Sequence, residues 1–140
     1  RKDKKFVNKI ITQLIEGKKN LFIVNDKNGT PTYTLDFARQ VLHLLENNIR
    51  GKFNIVCEGL TSRLEVSNEI IKYFKLEKEI KISEVNSEFF NDEYHAKRPY
   101  SERLVNNKLN LLSMNIMRNW KVCLNEYLNN YYNNLKNENN

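Results

Sequence analysis

Glycine and proline are scarce in this chain of 140 residues. It has four Gly and two Pro, where average usage of about 7% and 5% would supply more than twice as many of each. The glycines stand apart at Gly17, Gly29, Gly51 and Gly59. No two are close enough to build a G-x-G-x-x-G dinucleotide loop or a G-x-x-x-x-G-K phosphate loop, so nucleotide cradling by glycine-rich backbone is excluded within the chain. The two cysteines, Cys57 and Cys123, lie far apart in apolar settings (Ile55-Val56-Cys57 and Val122-Cys123-Leu124). That setting suits buried reduced thiols rather than a disulfide or metal framework. No apolar run approaches the roughly 18 residues of a membrane span, and no signal-peptide core is apparent, which leads to the expectation of a cytoplasmic protein without a membrane partner. Asn28-Gly29-Thr30 spells a glycosylation sequon that such a protein would not use.

Hydrophobic residues make up 40% of the chain and charged residues 29%, enough apolar content for a folded core and against intrinsic disorder. The formal charge is +6, and most of it is local: the first twenty residues hold seven basic side chains against Asp3 and Glu16. A basic segment can bind phosphate backbones, but it is also the usual solvated face of a Lys-rich helix. A small basic nucleic-acid-binding α/β domain is therefore kept only as an outside alternative.

Phe6, Ile10, Ile11, Leu14 and Ile15 recur at helical spacing and Gly17 supplies a stop, which predicts an amphipathic N-terminal helix. Leu21 to Val24 reads as a short strand, and Asp26-Lys27-Asn28-Gly29 as a turn. A second helix follows, with Thr34 as N-cap and Leu35, Ala38, Val41, Leu42 and Leu45 as its core face. Phe53 to Cys57 reads as a strand ended by Gly59, and Ser62-Arg63-Leu64-Glu65 as a capping box opening a helix through Val66, Ile70, Ile71 and Phe74. Ile80, Ile82 and Val85 alternate with Lys81 and Glu84 as a half-buried strand. A polar loop through Asn91, Asp92 and His95 leads to Arg98-Pro99. The closing helix carries Trp120, Cys123, Leu124, Tyr127, Leu128 and Tyr131 on one stripe, a packing surface rather than a base-stacking platform. This alternation predicts an α/β fold of two or three layers, one domain over residues 1–132, and an Asn-rich fraying tail over 133–140.

Three stretches, in order, resemble the C-terminal, sugar-nucleotide-binding half of the dTDP-4-dehydrorhamnose reductases, NAD(P)H-dependent enzymes of the extended short-chain dehydrogenase/reductase superfamily. The first is Asn25-Asp26-Lys27-Asn28-Gly29-Thr30-Pro31-Thr32-Tyr33-Thr34-Leu35-Asp36-Phe37-Ala38, similar to the family's D-x-x-G-[ST]-P-T-Y and the helix after it. The second is Phe53-Asn54-Ile55-Val56 with Gly59 to Glu65, similar to a strand, small-residue turn and Ser-capped helix. The third is Lys97-Arg98-Pro99-Tyr100-Ser101, running through Leu104, Asn106 and Lys108-Leu109 to Asn119-Trp120-Lys121. It departs from the commoner R-P-x-x-S-x-L-D-N, because Val105 stands in the place of the usual acid and the Ser spacing is shifted by one. Both prolines fall inside these motifs.

The resemblance implies the C-terminal part of an extended Rossmann-type reductase of dTDP-rhamnose and polysaccharide biosynthesis. In such an enzyme this portion holds a dTDP-linked 4-keto-6-deoxy sugar. The NADPH or NADH and the catalytic Tyr/Lys belong to an N-terminal dinucleotide-binding domain, so no cofactor and no catalytic residue is expected here, and the chain alone is expected to be inactive. A regulatory or scaffolding relative of the same superfamily is the alternative, and self-association is a further expectation. The candidate substrate-binding residues are Gly29, Thr30, Pro31, Thr32, Tyr33, Arg98 and Pro99. Gly29 can supply a positive φ, Pro31 stiffens the loop, and Thr30 and Thr32 present hydroxyls to a sugar or a phosphate oxygen, although a plain helix-entry turn would look the same. Arg98, held extended before Pro99, could grip a diphosphate bidentately; its plain alternative is a solvated arginine. His43 reads as a helix-face residue, and His95 has only its nearness to Arg98 to recommend it. Tyr132-Asn133-Asn134-Leu135-Lys136 spells the superfamily's Tyr-x-x-x-Lys pair but sits in the wrong place for it.

Overall fold

The structure, a computed structural model, describes residues 5–90 and 99–138, with side chains through 133. Helix α1 (Phe6–Ile15) forms where the i, i+4 apolar spacing predicts, and it buries Ile10 and Ile11. It stops at Gly17, whose φ of 75° is the left-handed conformation that ends helices at little cost to glycine. Strand β1 (Asn20–Val24) follows and buries Leu21, Ile23 and Val24.

Backbone contacts divide the chain into two units: Arg1–Asn28 with Thr61–Ser101 and Asn134–Asn140, and Gly29–Leu60 with Glu102–Asn133. The first holds α1, β1, α3 (Arg63–Tyr73) and β2 (Lys81–Val85). β1 and β2 pair in parallel, in register from Asn20 opposite Lys81 to Val24 opposite Val85. α3 packs on α1 and β1 through Val66, Ile70 and Ile71. Parallel pairing with helical cover makes the fold α/β, as the alternating pattern predicts. A single 3-10 turn at Ser87–Phe90, which no spacing announced, follows β2. α3 opens on the predicted box: Ser62 Oγ accepts the Glu65 N–H at 3.2 Å and donates to the Glu65 carboxylate at 3.1 Å. Ser62→Ala should therefore cost about 1 kcal/mol, read as a shift in the urea midpoint; an unchanged midpoint would mean that this cap contributes nothing.

The second unit holds α2 (Thr34–Glu46), α4 (Asn107–Leu111) and α5 (Trp120–Glu138), of which α5 reaches beyond it. Three expectations are corrected here. The N-cap of α2 is Tyr33, and Thr34 is the first helical residue. The apolar stripe of α2 does not face the core: Leu35, Leu42 and Leu45 are 40%, 54% and 67% exposed, and the buried residues are Asp36, Gln40 and Leu44. Polar residues can take the inner face because each is bonded there. Gln40 donates to Met114 O at 2.9 Å and accepts the Ile116 N–H at 2.8 Å. Phe53 to Cys57, third, forms no strand. The Asn106 side chain takes the place of a neighbouring strand, accepting the Val56 N–H at 3.0 Å and donating to Val56 O at 2.8 Å. α5 buries Trp120, Cys123, Leu124 and Leu128 as its stripe predicts, whereas Tyr131 stays exposed. α4 was not foreseen.

Candidate functional site

In the second unit, the loop from Gly29 to Tyr33 is tied down residue by residue. Thr30 Oγ1 donates to Gly59 O at 2.9 Å, Pro31 has no N–H to offer, and the Tyr33 N–H points at Cys57 Sγ at 3.4 Å. The Tyr33 ring meets Tyr127 edge-on, 6.3 Å between centroids. The positive φ foreseen for Gly29 is found at Gly59 instead, at 96°. Gly59 also lies against α5. A Cβ there would come within 2.8 Å of Asn119 Nδ2 and 3.0 Å of Trp120 Cδ1. Gly59→Ala should thus cost about 2–3 kcal/mol, from the left-handed backbone and from displacing buried Trp120. A thermal midpoint equal to that of the unaltered chain would refute the close approach.

Glu58, just before that glycine, is fixed at both ends. Its N–H donates to Arg118 O and its C=O accepts from the Trp120 N–H, each at 2.9 Å. Its carboxylate Oε1 accepts from Asn106 Nδ2 at 2.8 Å and from Asn115 Nδ2 at 2.6 Å. Asn106 is 1% exposed, so this arrangement is built in and not a surface accident. In the sequence, Asn106 stands within the third motif with nothing to signal its role, and Glu58 falls between the matched residues of the second.

The same unit holds an ion pair. Arg118 Nε and Nη2 donate to the two oxygens of Asp36 at 2.8 and 2.6 Å, and Arg118 Nη1 reaches Glu126 at 2.6 Å. The Arg118 guanidinium holds the Asp36 carboxyl below its ordinary range against the opposing effect of burial, and Cys123, donating its S–H at 3.1 Å, helps. The carboxylates in turn raise Arg118. Burial, then Asp36 and Cys57, push the Cys123 thiol up, which keeps it protonated and unreactive. Both cysteines are buried and unpaired, as their apolar surroundings predict.

In the first unit, the three motif stretches meet at Asn28. Its N–H donates to Tyr100 O at 2.8 Å, and it bridges both Ser62 and Ser101. Pro99 is exposed, and Tyr100 beside it carries Lys27 Nζ 4.4 Å above its ring. Arg98 and His95 lie outside the described residues. His43 sits on α2, with Asn47 beside its ring. Tyr132 packs on Tyr127. Among the described residues no cluster of three His, Cys, Asp or Glu could hold a metal ion, and no helix is long and apolar enough to cross a membrane.

A dinucleotide's pyrophosphate does not fit the ends of the two strands. β1 runs into Asp26, whose Oδ2 accepts the Ser87 N–H and Oγ–H at 3.1 and 2.7 Å, and β2 into a 3-10 turn without glycine. Burial would raise the Asp26 carboxyl, but the Ser87 bonds and Lys27 outweigh it and hold it low and charged. A fixed negative charge there repels phosphate.

Comparison with known proteins gives a consistent picture. The family described as RmlD substrate binding domain matches residues 1–133. No curated protein matches. Among solved structures, the chain is similar to a dTDP-4-dehydrorhamnose reductase from Clostridium acetobutylicum at 33% identity and a TM-score of 0.82, covering 91% of this chain and 44% of that one. A dTDP-4-dehydrorhamnose reductase from Yersinia enterocolitica gives 27% and 0.80, covering 93% and 44%. One from Bacillus anthracis, solved with NADP, shares the fold at 23% identity and 0.80, covering 91% and 44%. The chain thus spans less than half the length of the structures it matches.

Proposed function

The chain belongs to the RmlD substrate binding domain family, and from that premise we propose that it holds the sugar nucleotide of a longer NAD(P)H-dependent reductase acting on a dTDP-linked 4-keto-6-deoxy sugar. The substrate would lie against Gly29, Thr30, Pro31, Thr32 and Tyr33, with Arg98 and Pro99 contributing from the other motif. The observation that carries this reading is the Thr30 Oγ1 to Gly59 O bond. It fixes a short, half-buried loop before any ligand arrives, which lowers the ordering cost of binding. The remainder of such an enzyme would supply the cofactor loop and the Tyr/Lys pair, in a cytoplasmic pathway of dTDP-rhamnose type. Hydride transfer is thus assigned to that remainder, and orientation of the keto sugar to this chain.

Isothermal titration tests the assignment: dTDP-L-rhamnose should bind saturably, and absence of binding to the intact protein that carries the chain would overturn it. In that intact protein, Arg98→Ala should raise KM for the sugar nucleotide by about tenfold or more while changing kcat far less, the pattern for a group that grips the diphosphate in ground and transition state alike. An unchanged KM would remove Arg98 from the site.

A further inference from the structure

The Thr30 hydroxyl has already given up its proton, and that decides which part of a ligand it can receive. A threonine hydroxyl has one proton and two lone pairs. Thr30 gives its proton to Gly59 O, Tyr33 gives its N–H to Cys57 Sγ, and Pro31 has none. What Thr30 retains for a ligand are its lone pairs. Next to Gly59 in the chain, Glu58 adds a second acceptor. Its Oε1 is saturated by Asn106 and Asn115, while Oε2 takes no hydrogen bond among the described residues. Asn106, almost fully buried and bonded to both polar groups of Val56, keeps the carboxylate from turning away.

A diphosphate is negative and, at its oxygens, purely accepting, so acceptors and a carboxylate are the wrong chemistry for it. A hexose ring carries hydroxyl protons and no charge. Building on the sugar-nucleotide reading above, we propose that Thr30 Oγ1 and Glu58 Oε2 accept hydrogen bonds from the hydroxyls of the hexose, so that these two acceptors read the sugar and not the diphosphate. Of the two ligand parts that the sequence allows for Thr30, a sugar or a phosphate oxygen, this proposal takes the sugar.

The test titrates the intact protein with dTDP-L-rhamnose and, separately, with dTDP, which lacks the hexose. Glu58→Gln keeps an oxygen for Asn106 and Asn115 but turns the free acceptor into an N–H donor; Thr30→Val removes the hydroxyl and Thr30→Ser restores it. Each of the first two should weaken dTDP-L-rhamnose by about tenfold or more and leave dTDP within about twofold, with Thr30→Ser close to the unaltered protein. Circular dichroism confirms that each variant is folded. Equal weakening of both ligands, or a Glu58→Gln protein indistinguishable from the unaltered one, overturns the hexose assignment while leaving the sugar-nucleotide reading intact. Failure of the unaltered protein to bind either ligand overturns both.

Discussion

Arg118→Met is expected to lower the stability of the chain by about 3–5 kcal/mol at neutral pH, because it leaves the Asp36 carboxylate buried and charged without its partner. Asp36 is 3% exposed, and its remaining contacts are a long 3.5 Å approach from Arg39 and the weak S–H donor of Cys123. Methionine fills much of the arginine's volume, so the loss reflects charge rather than a cavity. The pH dependence separates the two causes. In the unaltered chain the folded Asp36 carboxyl lies below its ordinary value. Its contribution is therefore complete above that value and is lost as pH falls through the folded pKa. In the variant, burial is opposed only by the weak Cys123 S–H and the distant Arg39 and raises the carboxyl, so acid neutralises Asp36 and relieves the penalty. The gap in stability between the two proteins should be widest near about pH 7 and close below about pH 4. Urea titrations across that range measure it, and a gap that stays constant into acid would show that packing and not the ion pair was lost.

This pair also explains what the sequence could and could not reveal. The first unit was legible because its determinants are local. Apolar spacing placed α1, a short apolar run placed β1, alternation placed β2, and four consecutive residues specified the start of α3. The inner face of α2 was not legible in the same way. Leu35, Ala38, Val41, Leu42 and Leu45 form a convincing apolar stripe, yet Asp36 and Gln40 are buried because their partners, Arg118 and the backbone of Met114 and Ile116, come from more than 70 residues away. Periodicity reports which residues prefer burial, not which polar residues will find partners. Gly29 to Tyr33 do form a loop ahead of α2, but the glycine with a positive φ in this corner is Gly59, in the second motif. Positive φ is a demand of the folded corner, and nothing in a solitary glycine distinguishes the two. The best sequence signal for the missed polar face was Asp36 and Gln40 themselves, four apart on one side of a helix.

Asn106→Leu carries the other large effect. The amide satisfies three buried or half-buried groups at once: the Val56 N–H, the Val56 C=O and the Glu58 carboxylate. Leucine fills a similar space and satisfies none, and at about 1–3 kcal/mol for each buried group left unpaired, the backbone of Val56 alone should cost about 2–6 kcal/mol. The expected readout is a large drop in the urea midpoint, with early loss of amide protection at Val56. Asn106→Asp sharpens the test. It preserves an acceptor for the Val56 N–H but sets oxygen against the Val56 carbonyl and a new negative charge beside Glu58. At neutral pH this variant should be at least as damaged as Asn106→Leu, and unlike it should recover in acid, where protonation restores one donor. The direction of the amide decides the outcome, since the same density of contacts with oxygen and nitrogen exchanged would pair an Asn106 acceptor with acceptors. If Asn106→Asp is the milder change at neutral pH, the amide does not donate to Glu58, and the fixed carboxylate on which recognition of the hexose depends loses its support.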